Sequence, residues 1–89
     1  MNDIVIVTGA STGIGAATAR LLGTAGARVV VNYHSSRDAA ETVAADVKEL
    51  GGDAIAVQAD LGTPADIVRL FETTDRIFGP VTEIGRAHV

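Results

Sequence analysis

Eighty-nine residues allow one small domain at most, near the size at which a single hydrophobic core becomes marginal. A net charge of −4 without any basic cluster speaks against nucleic acid and anionic membranes as partners, and the lack of cysteine excludes disulfides, thiolate metal sites and a cysteine nucleophile. Apolar residues make up 47 % of the chain but aromatic ones only 3 %, so the core has to be built from Val, Ile, Leu and Ala. His34 and His88 are isolated in sequence, which argues against a metal centre. No apolar stretch is long enough to span a membrane and no leader pattern opens the chain, so the cytoplasm is the expected compartment.

The first element is the β-branched run Ile4-Val5-Ile6-Val7, which reads as a strand buried on both faces, as in a parallel sheet. It breaks at Gly9 into a glycine-rich turn, and from Gly13 the Ala-rich segment to Ala25 reads as a helix. Its periodicity places Ile14, Ala17, Leu21, Leu22 and Ala25 toward the sheet, Gly23 marks close packing, and Gly26 suits the position just past the helix end. Arg28 to Tyr33 is a second apolar strand, followed by the polar loop His34-Ser35-Ser36-Arg37. Ser35 and Asp38 resemble a capping pair for the next helix. Its apolar face is Ala39, Ala40, Val43, Ala44, Val47 and Leu50, and Gly51-Gly52 stops it.

Ala54 to Gln58 reads as a third, short strand running into Ala59-Asp60-Leu61. Thr63 as N-cap and Pro64 at the first helical position open a third helix, with Ile67, Leu70, Phe71, Thr74, Ile77 and Phe78 on its apolar face. Gly79-Pro80 ends it, and Val81 begins a fourth strand. The pattern β-α-β-α-β-α-(β) predicts an α/β fold: the N-terminal half of a doubly wound parallel-sheet domain of the Rossmann type.

Strand, glycine turn and helix N-terminus together make an anion site, because turn and first-turn N–H groups converge where the helix dipole favours negative charge. Gly9 permits a sharp exit from the strand, Gly13 a close approach of backbone to a phosphate, and Gly15 tight packing of the helix start. The alternative is a glycine turn that merely connects strand to helix. The spacing is G-x-x-x-G-x-G rather than G-x-G-x-x-G. Thr8-Gly9-Ala10-Ser11-Thr12-Gly13-Ile14-Gly15 resembles the T-G-x-x-x-G-x-G signature of the short-chain dehydrogenase/reductase superfamily, and the likeness runs from about Asp3 to Thr82. It is closest to compact single-domain members such as 3-oxoacyl-carrier-protein reductases and glucose 1-dehydrogenases.

That resemblance implies an oxidoreductase acting on a small carbonyl or alcohol substrate, a homo-oligomer (a tetramer in such members), and a dinucleotide held by Gly9, Ser11, Thr12, Gly13, Ile14 and Gly15. The loop after the second strand lies roughly 20 residues past the glycines, where an NAD site usually has an Asp or Glu for the ribose 2′-OH. Here Asn32, His34, Ser35, Ser36 and Arg37 stand instead, and hydroxyls with a guanidinium suit a 2′-phosphate. NADP(H) is therefore expected over NAD(H). Ser35 also serves a capping reading, and His34 either adds charge when protonated or is a bystander. The resemblance assigns Asp60-Leu61 to the adenine, and the competing reading of Asp60 is a carboxylate on the approach to the third helix. Thr8 corresponds to a residue that supports the loop.

The resembled family works with a Ser and a Tyr-x-x-x-Lys pair, and neither arrangement is found here. Tyr33 is the only tyrosine, and Lys48 lies fifteen residues beyond it. Two further readings stay open: a non-catalytic NAD(P)-binding regulatory protein, and a methyltransferase, against which the Thr8-Gly9 pair and the polar Ser/Arg loop argue. The end of the chain departs from the resemblance, which expects an apolar strand leading to Asn-Asn-Ala-Gly. Glu83-Ile84-Gly85-Arg86-Ala87-His88-Val89 is a poor central strand, and Ile84 to Val89 can be encoded by ATC GGA AGA GCA CAC GTC, a widely used sequencing-library adapter. The expectation is a native segment over 1–82, a non-native tail over 83–89, no activity in this segment, and a first strand left as a bare, aggregation-prone edge.

Overall fold

The computed structural model describes residues 3–81 and 83–86; Thr82 and the predicted tail residues Ala87, His88 and Val89 lie outside the described residues. The elements run β1 (Ile4–Thr8), α1 (Gly13–Thr24), β2 (Arg28–Tyr33), α2 (Arg37–Glu49), β3 (Asp53–Gln58), α3 (Pro64–Ile77) and β4 (Glu83–Arg86). All strand pairs are parallel, in the order β3-β2-β1-β4. Strands are added to one side of β1 and then to the other, so the switch point of the sheet falls at β1.

The period of two along the strands sorts their side chains onto two faces. Val5, Val7, Val29, Val31, Tyr33 and Ala54 pack with Ala16, Ala19, Ala40, Val43, Ala44 and Val47 of α1 and α2. Ile6, Val30, Val57 and Ala59 pack with Leu70, joined by the half-buried Ile55, Phe71, Phe78 and Val81. Two helices therefore cover one face and α3 the other, as the alternating pattern predicts.

The α1 face differs from the expectation. Gly15, Ala16, Ala19 and Gly23 are its buried residues, while Ala17 and Ala25 are exposed, Leu22 is half-buried, Ile14 is 55 % exposed and Leu21 is 70 % exposed. Close approach is the reason. A Cβ on Gly23 would sit 3.1 Å from the Cα and Cγ1 of Val47, so α1 and α2 meet through their smallest residues and the bulky ones turn outward. The α2 face agrees with expectation at Ala40, Val43, Ala44 and Val47, whereas Leu50 lies past the helix and is exposed. Ser36, not Ser35, holds the N-cap position of α2 and makes no side-chain cap bond, because the helix begins at Arg37. Thr63 and Pro64 open α3 as predicted, with Leu70 and Thr74 fully buried and Ile77 outward.

The last correction concerns the sheet edge. β1 is not bare: Val5, Ile6, Val7 and Thr8 are in register with Glu83, Ile84, Gly85 and Arg86. A parallel ladder is made by backbone N–H and C=O groups, which every one of those residues supplies whatever its side chain.

Candidate functional site

The C-terminal ends of β1, β2 and β3 converge on one edge of the sheet, and the polar residues of the sequence gather there. Gly9 and Gly13 both take φ of 61°, the left-handed region that side chains disfavour, and this turns the chain out of β1 and into α1. Gly15 is buried beneath that turn. A Cβ there would collide with the carbonyl of Gly9 and lie 2.8 Å from the Cα of Ala10, so its close packing is against the turn itself. Ala10 is fully buried and its N–H donates to the carbonyl of Asn32 at 3.0 Å, which ties the turn to the end of β2.

The start of α1 is unlike the other two helix starts. None of the three N-cap residues makes a side-chain cap bond, but the first turn of α1, after Thr12, holds no acidic residue, whereas α2 has Asp38 and α3 has Asp66. Its first-turn N–H groups and positive dipole end thus face outward beside the exposed Gly9, Thr12 and Gly13, with Ser11 half-buried next to them. This arrangement fits a bound phosphate.

At the end of β2, Ser35, Ser36 and Arg37 are exposed, and none of them forms an ion pair or side-chain hydrogen bond among the described residues. Asn32 stands apart from them. It is 2 % exposed, and its Nδ2 donates to the carbonyls of Val57 and Ala59 at 3.3 and 3.4 Å, so its amide joins β2 to β3 below the loop. His34 points outward, with Nε2 3.7 Å from Oδ2 of Asp60, an ion pair whenever the imidazole is protonated. Asp60 Oδ1 accepts the N–H of Gly62 at 2.9 Å and its carbonyl accepts the N–H of Thr63 at 3.0 Å, so the residue also shapes the approach to α3. Leu61 beside it is 40 % exposed.

Three residues that sequence reading passed over join this edge. The N–H of Asp60 donates to Asp66 Oδ2 at 2.9 Å. That bond holds the Asp66 carboxyl below the usual carboxylate range; burial opposes it, and Arg69 and then His34 reinforce it. Arg69 Nη2 lies 3.5 Å from Asp66 and donates to Gln58 Oε1 at 3.1 Å, and Gln58 Nε2 donates to the carbonyl of His34 at 3.1 Å. Asp66 reads in sequence only as a first-turn helix acid and Arg69 as its i+3 partner; nothing in the periodicity points to Gln58.

A glycine turn opening a helix at the switch point of a parallel sheet, with a carboxylate-free polar loop after the next strand, defines the N-terminal half of a Rossmann-type fold. The pattern of the short chain dehydrogenase family matches residues 3–84, and the chain belongs to that family. Versicolorin reductase 1 of Aspergillus parasiticus is 54 % identical over 76 residues, which are 85 % of this chain and 29 % of that protein. Tetrahydroxynaphthalene reductase of Pyricularia oryzae is 47 % identical over 76 residues, 85 % of this chain and 27 % of that one. Among solved structures, the angucycline C-6 ketoreductase LanV with bound NADP superposes with a TM-score of 0.84 at 40 % identity, covering 94 % of this chain and 35 % of that chain. A dehydrogenase of Burkholderia cenocepacia with bound NADP gives 0.89 at 33 % identity, over 94 % and 33 %. The chain thus spans less than a third of the length of the curated relatives named here.

Proposed function

We propose that these residues form the cofactor-binding half of an NADP(H)-dependent oxidoreductase that reduces a carbonyl or oxidises an alcohol. The observation that carries this reading is the pair of left-handed glycines opening an uncapped, acid-free helix beside a β2 loop of serines and an arginine. Gly9 and the α1 N-terminus, from Ser11 to Gly15, hold the pyrophosphate; Ser35, Ser36 and Arg37 hold the 2′-phosphate; Asp60 and Leu61 meet the adenine. Asn32 fixes the strand ends beneath them, and His34 adds positive charge when protonated. When bound, the nicotinamide supplies or accepts the hydride, and the protein's task is to orient it. The neighbouring structures with bound NADP support the cofactor assignment. The name of one relative extends it to a hydroxylated aromatic of the tetrahydroxynaphthalene kind as substrate class. The proton-transfer residues belong to the full-length protein, since no Tyr-x-x-x-Lys stands among these 89 residues, and the segment alone is inactive. We further place the full-length protein in the cytoplasm as a homo-oligomer.

Reversing the charge at Arg37 tests the cofactor assignment. Arg37→Glu in the full-length enzyme lowers the ratio of kcat/KM for NADPH over NADH by roughly tenfold or more, the size of a lost charged hydrogen bond. An unchanged ratio removes Arg37 from the 2′-phosphate site.

We also propose that residues 83–89 are foreign to the protein, because the adapter string can encode Ile84 to Val89 and the family pattern leaves residues 85–89 unmatched. Sequencing the source genome across codon 83 decides it. An apolar continuation replacing Glu83 to Val89 supports the proposal, and the same seven codons in the genome overturn it.

A further inference from the structure

Gln58, Asp66 and Arg69, which lie outside the proposed dinucleotide contacts, close a ring with His34 and Asp60 beside the β2–α2 loop. From His34 the ring runs to Asp60 (3.7 Å), through the Asp60 N–H to Asp66 (2.9 Å), to Arg69 (3.5 Å), to Gln58 (3.1 Å) and back to the His34 carbonyl (3.1 Å). It links three elements that are far apart in sequence: the loop after β2, the end of β3 and the first turns of α3. Among the described residues, Gln58 and Asp60 are the only side chains outside that segment and α2 that form a hydrogen bond or ion pair with the His34–Arg37 segment.

We propose that Gln58 and Arg69 are positioning residues for cofactor choice. Gln58 hangs the loop from β3 by its amide N–H, and Arg69 fixes which end of that amide faces the loop by donating to its oxygen. A carboxamide has both a donor and an acceptor end, and without a cation on Oε1 it is free to turn its oxygen toward the His34 carbonyl, where two acceptors repel. Asp66 keeps Arg69 in place. The height of Ser35, Ser36 and Arg37 above the sheet, and so their reach to a 2′-phosphate, is set by this brace. The inference rests on the NADP(H) reading given above.

Its consequence is selective. Loosening the brace weakens ligands that carry a 2′-phosphate and leaves alone those that lack one. The probes are adenosine 2′,5′-bisphosphate and 5′-AMP, which differ only in the 2′-phosphate, titrated calorimetrically into the full-length protein and its Gln58→Leu, Arg69→Leu and Arg69→Lys variants. Gln58→Leu and Arg69→Leu are expected to bind the bisphosphate about three- to tenfold more weakly, as for one or two exposed hydrogen bonds, with 5′-AMP unchanged. Arg69→Lys, which still donates to Oε1, keeps most of the affinity. Equal weakening of both ligands marks a general structural role and overturns the inference, as does unchanged binding of both. If the unmutated protein binds the bisphosphate no tighter than 5′-AMP, the NADP(H) reading fails and the inference with it. If the unmutated protein prefers the bisphosphate and every variant keeps that preference, only the inference fails.

Discussion

Gly13→Val is expected to abolish dinucleotide binding in the full-length protein while leaving it folded. Gly13 is exposed, sits at φ 61° and is the first residue of α1. Forcing a β-branched residue into the left-handed region costs about 1–3 kcal/mol, which a domain with the usual margin of about 5–15 kcal/mol survives. The valine methyl groups would occupy the space where a phosphate must approach the first-turn N–H groups, so several charge-assisted hydrogen bonds are lost together. At roughly 1.5–3 kcal/mol each, losing two of them weakens binding by more than about a hundredfold. NADPH fluorescence titration reads the affinity and urea unfolding confirms the fold. Native affinity in the variant would make the turn a connector with no ligand.

Leu70→Ala is expected to cause the largest loss of stability. Leu70 is 2 % exposed and is the fully buried apolar anchor of α3, the single helix on its face of the sheet among the described residues. Truncating a buried leucine costs about 2–5 kcal/mol through lost transfer energy and the cavity left behind. Thr74 one turn on is also fully buried and bonded to the Leu70 carbonyl at 2.8 Å, so a shift of Leu70 is transmitted along the helix. Asp66 and Arg69 lie on the same helix, and their hold on Asp60 and Gln58 weakens with it. The control is Val68→Ala on the outer face, where the side chain is 56 % exposed and the expected change stays within about 0.5 kcal/mol. Denaturant midpoints of the two variants measure the difference. Equal midpoints would mean that α3 contributes no core to the fold.

Much of the fold is legible in the sequence because different local signals agree. Ile4 to Val7 and Arg28 to Tyr33 announce buried strands by β-branching, and all three helices close on a glycine with positive φ at Gly26, Gly51 or Gly79. The α1 face is misread because its two sets of residues have the same helical spacing. Hydrophobic scale ranks Ile14 and Leu21 above Gly15 and Gly23, whereas packing distance against Val47 and the Gly9–Ala10 turn selects the residues with the least side chain. Of the candidate site, the glycine turn and the Ser/Arg loop can be read directly, since their chemistry is local. Asn32 shares that stretch of sequence, but its strand position points it into the sheet. The brace of Gln58, Asp66 and Arg69 joins residues through the docking of α3 across β3, and no local pattern encodes such a contact.

The measurement closest to the central claim is a side-by-side calorimetric titration of the unmutated full-length protein with NADPH and NADH at one fixed salt concentration. Saturable binding of NADPH, at least about tenfold tighter than that of NADH, is the expected result, the difference being one charge-assisted contact to the 2′-phosphate. Binding of neither cofactor, or tighter binding of NADH, would contradict the assignment of the glycine turn and the Ser35-Ser36-Arg37 loop as an NADP(H) site.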